Sequence, residues 1–147
     1  MKPRATRSRI AVGVGLVWIA TSAGCQGGVN TPGGPVGRTV SLANDVQPIL
    51  SQKCATCHSA GGFGSAFGSS LALNSGATFG STVNQPSDQR PDLLRVKPGD
   101  SANSLLYSKV ASNSPPVGAT MPLLGERLSS SELALLRDWI DQGALDN

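Results

Sequence analysis

The chain has 147 residues, only 4% of them aromatic and three of them cysteine, which leaves little material for a large apolar core. Its formal net charge of +3 comes from 12 basic and 9 acidic side chains, but four of the basic ones, Lys2, Arg4, Arg7 and Arg9, crowd into the first nine positions. Without that end, eight basic residues face nine acidic ones, a net charge of −1, so no Lys/Arg cluster remains to serve as a nucleic-acid footprint.

Behind the basic end, Ile10 to Ala20 (IAVGVGLVWIA) is an apolar run of eleven residues, followed by Thr21-Ser22-Ala23-Gly24-Cys25. Basic flank, apolar run and small residues in this order predict a secretory signal peptide over residues 1–24. The run is too short to cross a bilayer, which takes roughly 20 apolar residues. Its end, S-A-G-C, resembles the lipobox of bacterial lipoproteins, with Ser22 standing where that family usually has leucine. The resemblance implies that Cys25 becomes the first residue of the mature chain and carries lipid. Each buried acyl methylene contributes about 0.8 kcal/mol to holding it at a membrane. Residues 25–38 then form the lipidated cysteine and a Gly/Pro-rich linker, and residues 39–147 one small domain.

Within that domain the pattern is helical. A first helix is expected from Asn44 to about Thr56, with Asn44 and Gln47 as a capping box and Val46, Ile49 and Leu50 on one face. Residues 59–92 are rich in Gly, Ser and Asn, without sustained period, and read as a long irregular segment whose Phe63, Phe67, Leu71, Leu73 and Phe79 wrap an apolar object. A short helix is expected over Asn103–Ala111. The last helix starts at a Ser129/Glu132 capping box, with Leu128 and Leu133 as a hydrophobic staple. It carries Leu133, Leu136 and Ile140 on one stripe and ends at Gly143. The fold class is all-α, with three to four helices and much loop.

Lys53-Cys54-Ala55-Thr56-Cys57-His58-Ser59 holds both remaining cysteines and the only histidine. A structural zinc site needs four ligands, and no second Cys/His pair follows. A disulfide over a two-residue gap would stabilise little. A thioredoxin-like dithiol needs a βαβ pattern that is missing, which leaves a thiol-disulfide oxidoreductase as the runner-up. C-x-x-C-H is also the pattern of covalent c-type haem attachment. Two thiols at this spacing reach two vinyl groups on one edge of a porphyrin, and the adjacent His58 places an imidazole beneath the iron. Once Met1 leaves with the signal, Met121 is the only methionine, in the loop Ala119-Thr120-Met121-Pro122. Its thioether is a soft iron ligand and the candidate for the second axial position; a lysine or an open site are the alternatives.

At D45-V-Q-P-I-L50, K53-C-A-T-C-H58, V96-K-P-G-D100, S104-L-L-Y107, M121-P122, L128-S-S-S-E132 and D138-W-I-D-Q-G-A144 the chain resembles the class I, single-haem cytochrome c domain, over about residues 41–145. The resemblance implies a fold in which the first and last helices cross and one haem sits in a cleft. It also implies Cys54 and Cys57 as anchors, His58 as proximal ligand and Met121 as distal ligand. The expected function is one-electron transfer between redox partner proteins in the periplasm or at the cell surface. The membrane is met through the lipid anchor; no nucleic acid and no small-molecule substrate is expected. The alternative to a free carrier is an electron-feeding subunit of a haem enzyme. A core this lean needs its cofactor, so the haem-free chain is expected to be poorly ordered.

Overall fold

Pro48 shapes the first helix. It has no N–H to offer the carbonyl of Asn44, and the ladder ahead of it widens: Val46 N–H donates to Ser41 O at 3.2 Å and Gln47 N–H to Leu42 O. A π-helical turn over Leu42–Val46 therefore runs directly into the first α-helix, α1, Gln47–Lys53. The computed structural model describes residues 34–147; the expected signal peptide, Cys25 and the linker as far as residue 33 lie outside the described residues.

The first cap differs from the one expected. Ser41, three residues before Asn44, is the N-cap: its Oγ accepts from Asn44 N–H at 3.1 Å, and Asp45 Oδ2 accepts from Ser41 N–H at 2.8 Å. Gln47 does not reach back to the helix start. It is buried, and its Nε2 donates to Leu73 O at 2.9 Å and Ser51 Oγ at 3.0 Å. The helix also stops at Lys53 rather than near Thr56, because the chain turns at Cys54.

Three further helices follow: α2, Thr78–Thr82; α3, Leu105–Ala111; and α4, Ser130–Asp141. Short 3-10 turns cover Phe63–Phe67 and Ser101–Asn103. Among the described residues there is no strand, only two isolated bridges, Val83 to Val96 and Pro86 to Leu94, so the fold is all-α. None of the described helices is long and apolar enough to cross a membrane. α3 begins two residues later than Asn103, because Asp100 caps the preceding 3-10 turn through Asn103 N–H at 3.1 Å. In α4 the expected capping box is present: Ser129 Oγ accepts from Glu132 N–H at 3.3 Å, and Glu132 Oε2 accepts from Ser129 N–H at 2.7 Å. Such a cap is worth about 1 kcal/mol. Gly143, at φ +107°, ends the helix where a side chain would strain the backbone.

The core joins the first helical turns to the C-terminal helix. Trp139, Leu136 and Ile140 of α4 are buried with Val46, Leu50, Leu73, Val96 and Val40. Hydrogen bonds seal the same junction. Asp138 accepts from Val36 N–H, Gln142 Oε1 from Val40 N–H at 2.8 Å, and the terminal Asn147 takes Ala43 N–H on its main-chain oxygen and Leu42 N–H on Oδ1, both at 2.8 Å. Val36 and Arg38, read from sequence as the end of the linker, lie against the fold; Arg38 pairs with Asp45 at 2.6 Å.

The Gly/Ser-rich segment 59–92 closes around a buried guanidinium. Arg95 donates to Ser81 O at 2.7 Å and Ser70 Oγ at 2.6 Å, and pairs with Asp88 at 2.8 Å. Asp88 in turn accepts from Ser70 N–H at 2.8 Å. A buried charge demands such partners, and satisfying them orders a stretch that has little apolar period of its own. Leu71, Leu73 and Phe79 pack on the core, but Phe63 and Phe67 do not. They face outward at 65% and 75% exposure, edge to face with ring centres 5.1 Å apart.

Candidate functional site

The Cys54–His58 segment is a tight turn hung on the end of α1. Leu50 O, one turn before the helix ends, accepts from both Cys54 and Ala55 N–H at 2.9 Å. Cys54 O then accepts from Cys57 N–H at 3.1 Å and His58 N–H at 2.9 Å, folding the two cysteines and the histidine around one oxygen. The following chain is laid against the back of this turn: Cys57 O accepts from Gly64 N–H at 2.8 Å and His58 O from Leu73 N–H at 2.7 Å. The approach leaves no space for side chains. A Cβ on Gly62 would stand 2.7 Å from Cys57 O, and one on Gly64 would stand 3.0 Å from the same oxygen and 3.2 Å from His58 Nδ1. These glycines belong to the site; G-G-F-G directly after C-x-x-C-H is the sequence signal that marks them.

Cys54 is half-buried against the core, Cys57 is exposed, and both are free thiols. Among the described residues no group of three or more His, Cys, Asp and Glu side chains is placed to hold a metal ion, so Cys54, Cys57 and His58 do not converge on one point as a zinc site requires. Burial pushes the Cys54 thiol up to about 11. His58 is half-buried with Nδ1 unpartnered, and burial first, then the charge of Lys109, hold its pKa below the ordinary imidazole value. A neutral imidazole is the form that binds a metal.

Met121 lies in the loop between α3 and α4. Its N–H donates to Lys109 O at 2.8 Å, its peptide bond to Pro122 is cis, and its side chain is half-buried against the same core that Cys54 touches. Lys109 thus links the two regions, bonded to Met121 and electrostatically felt at His58. A second link joins the motif to the last helix: Lys53 Nζ lies 3.3 Å from Glu132 Oε2 and donates to Arg127 O at 3.2 Å. Among the described residues, five large apolar side chains are exposed. Four of them, Phe63, Phe67, Leu123 and Leu124, follow closely on His58 or Met121 in sequence.

No protein-family model and no curated protein matches the chain. Kuenenia stuttgartiensis hydrazine synthase, a solved structure, is similar over 73% of this chain, with 26% identity and a TM-score of 0.50. The match covers 16% of that chain, so this protein corresponds to a small part of the length of its neighbour.

Proposed function

We propose that the chain is an exported c-type cytochrome that carries single electrons. Cys54 and Cys57 are its thioether anchors, His58 its proximal iron ligand, Met121 its distal ligand, and Cys25 the lipid-bearing residue that holds it at a membrane in the periplasm or on the cell surface. The observation that carries this reading is the pairing of ligand-type residues with uncovered apolar ones: Phe63 and Phe67 after His58, Leu123 and Leu124 after Met121. Burying one large apolar side chain is worth about 1.5–3 kcal/mol, and a porphyrin offers a broad apolar face to bury them. The donor set fits the same group: two free thiols three positions apart, a neutral imidazole, and a soft thioether.

When bound, the haem supplies the one-electron couple, and His/Met ligation raises its reduction potential. The chain's own residues supply the attachment, the two axial donors and the exclusion of water. If His58 and Met121 both held the iron, no position would be left for a substrate, which favours a carrier over a catalyst. A thiol-disulfide oxidoreductase fits less well, because an attacking cysteine needs a lowered pKa and access, and Cys54, the first of the pair, is half-buried with its thiol pushed up. Likeness to one stretch of a long enzyme chain favours a second reading, a domain or subunit that feeds electrons to a larger haem enzyme. The test is the far-red sulfur-to-iron absorption band of the oxidised protein. Met121→Ala is expected to abolish the band and lower the potential; an unchanged band and potential would remove Met121 from the iron.

A further inference from the structure

The loop between α3 and α4 hangs from the C-terminal end of α3. The last carbonyls of a helix have no partner within it, and here the loop takes them. Lys109 O accepts from Met121 N–H at 2.8 Å, and Val110 O accepts from Arg127 Nη2 at 3.2 Å. One residue beyond the helix, Ser112 O accepts from Thr120 Oγ1 at 3.0 Å. Lys109 adds its side chain to this rack: Nζ donates to Val117 O at 2.7 Å and Ala119 O at 2.9 Å. A single residue therefore grips the loop at 117, 119 and 121. Between the first two points Gly118 adopts φ +62°, where a side chain would strain the backbone, and a Cβ there would stand 2.8 Å from Lys109 Nζ, so the chain passes close over the ammonium.

We propose that Lys109 is the positioning residue for Met121: it fixes the loop that presents the thioether, and its charge raises the potential of the iron that His58 and Met121 share. The proposal rests on the assignment of Met121 as distal ligand. Hydrogen bonds from a charged donor are stronger than neutral ones, and three holding points within five residues leave the loop little freedom. The ammonium is half-buried, so its field is weakly screened, and it lies on the backbone two residues before Met121. A fixed positive charge near an iron centre favours the less positive, reduced state.

Three variants of the haem-loaded full chain separate clamp from charge. Lys109→Met keeps the stem but loses both loop bonds and the charge. It is expected to weaken the far-red band, lower the potential, and speed hydrogen exchange at the Met121 amide by about tenfold or more. Lys109→Gln keeps a donor without the charge and is expected to retain the band while lowering the potential. Lys109→Arg restores both. A Lys109→Met protein that melts earlier but keeps the wild-type band, potential and Met121 exchange overturns the proposal and leaves Lys109 a merely structural residue. An unchanged potential in Lys109→Gln overturns the part assigned to charge. If the wild-type protein carries no covalent haem, the cytochrome reading falls, while amide exchange at Met121 still decides whether Lys109 holds the loop.

Discussion

Cys54 and Cys57 carry the same side chain into different surroundings. Cys57 is exposed; Cys54 sits half-buried at the end of α1, where loss of water pushes its thiol from 9.0 up to about 11. Only the thiolate is alkylated, so where the haem-free protein holds this fold, as circular dichroism at pH 8 must first show, Cys54 should label about a hundredfold more slowly than in the urea-unfolded chain. Peptide mass mapping after timed alkylation checks this, and equal rates in both states contradict it. The sign for stability follows. Between 9.0 and about 11 the folded state holds the proton and the unfolded state releases it, so stability is fully present below pH 9 and is lost as pH rises through that window. The loss is roughly 3 kcal/mol, and it disappears once the sulfur is a thioether with no proton to lose. Cys54, Cys57, His58 and Met121 were visible as candidates in the sequence because rare residue types stand at a telling spacing. Lys109 was not: an ordinary lysine becomes informative only when the loop folds back over its ammonium.

At the scale of elements, backbone contact between segment 62–64 and the motif turn is the feature most open to mutation. Gly62→Ala puts a methyl group 2.7 Å from the carbonyl oxygen of Cys57, and backbone cannot yield as a side-chain tip would. It should destabilise by about 1–3 kcal/mol, as overpacking does. Gly80, exposed within α2 with nothing within 4 Å of its missing Cβ, is the control. Gly80→Ala should stabilise by about 0.5–1 kcal/mol through lost backbone entropy in the unfolded chain. Urea midpoints of the two variants check both signs; Gly62→Ala behaving like Gly80→Ala contradicts the close approach. Helix α4 could be read almost completely beforehand, since its cap, stripe and terminal glycine are all local signals. The start of α1 could not. Its π-helical turn depends on Pro48 and on Asn147, about a hundred residues away in sequence, so Asn44 looked like a cap that Ser41 supplies. The order in 59–92 was equally hidden, because the groups that hold it, Arg95 and the carbonyls of Cys57 and His58 among them, lie outside the segment.

At the scale of the whole molecule, the domain is closed by its ends. The first helical turn and α4 share the core, and Asp138, Gln142 and Asn147 tie residues 36–43 to the C-terminus. This arrangement leaves the motif turn and the Met121 loop as neighbours of one lysine, with the uncovered apolar side chains beside them in the chain. The all-α architecture followed from periodicity and capping. The distribution of exposed Phe63, Phe67, Leu123 and Leu124 did not, because exposure is a property of the packed chain rather than of residue type. Intact-mass analysis of the protein recovered from its own membrane fraction tests the account most directly. The expected mass is that of a chain beginning at Cys25, acylated there, with one haem bound through Cys54 and Cys57 and retained after denaturation. A chain of unmodified mass, with two free thiols at Cys54 and Cys57, contradicts the account.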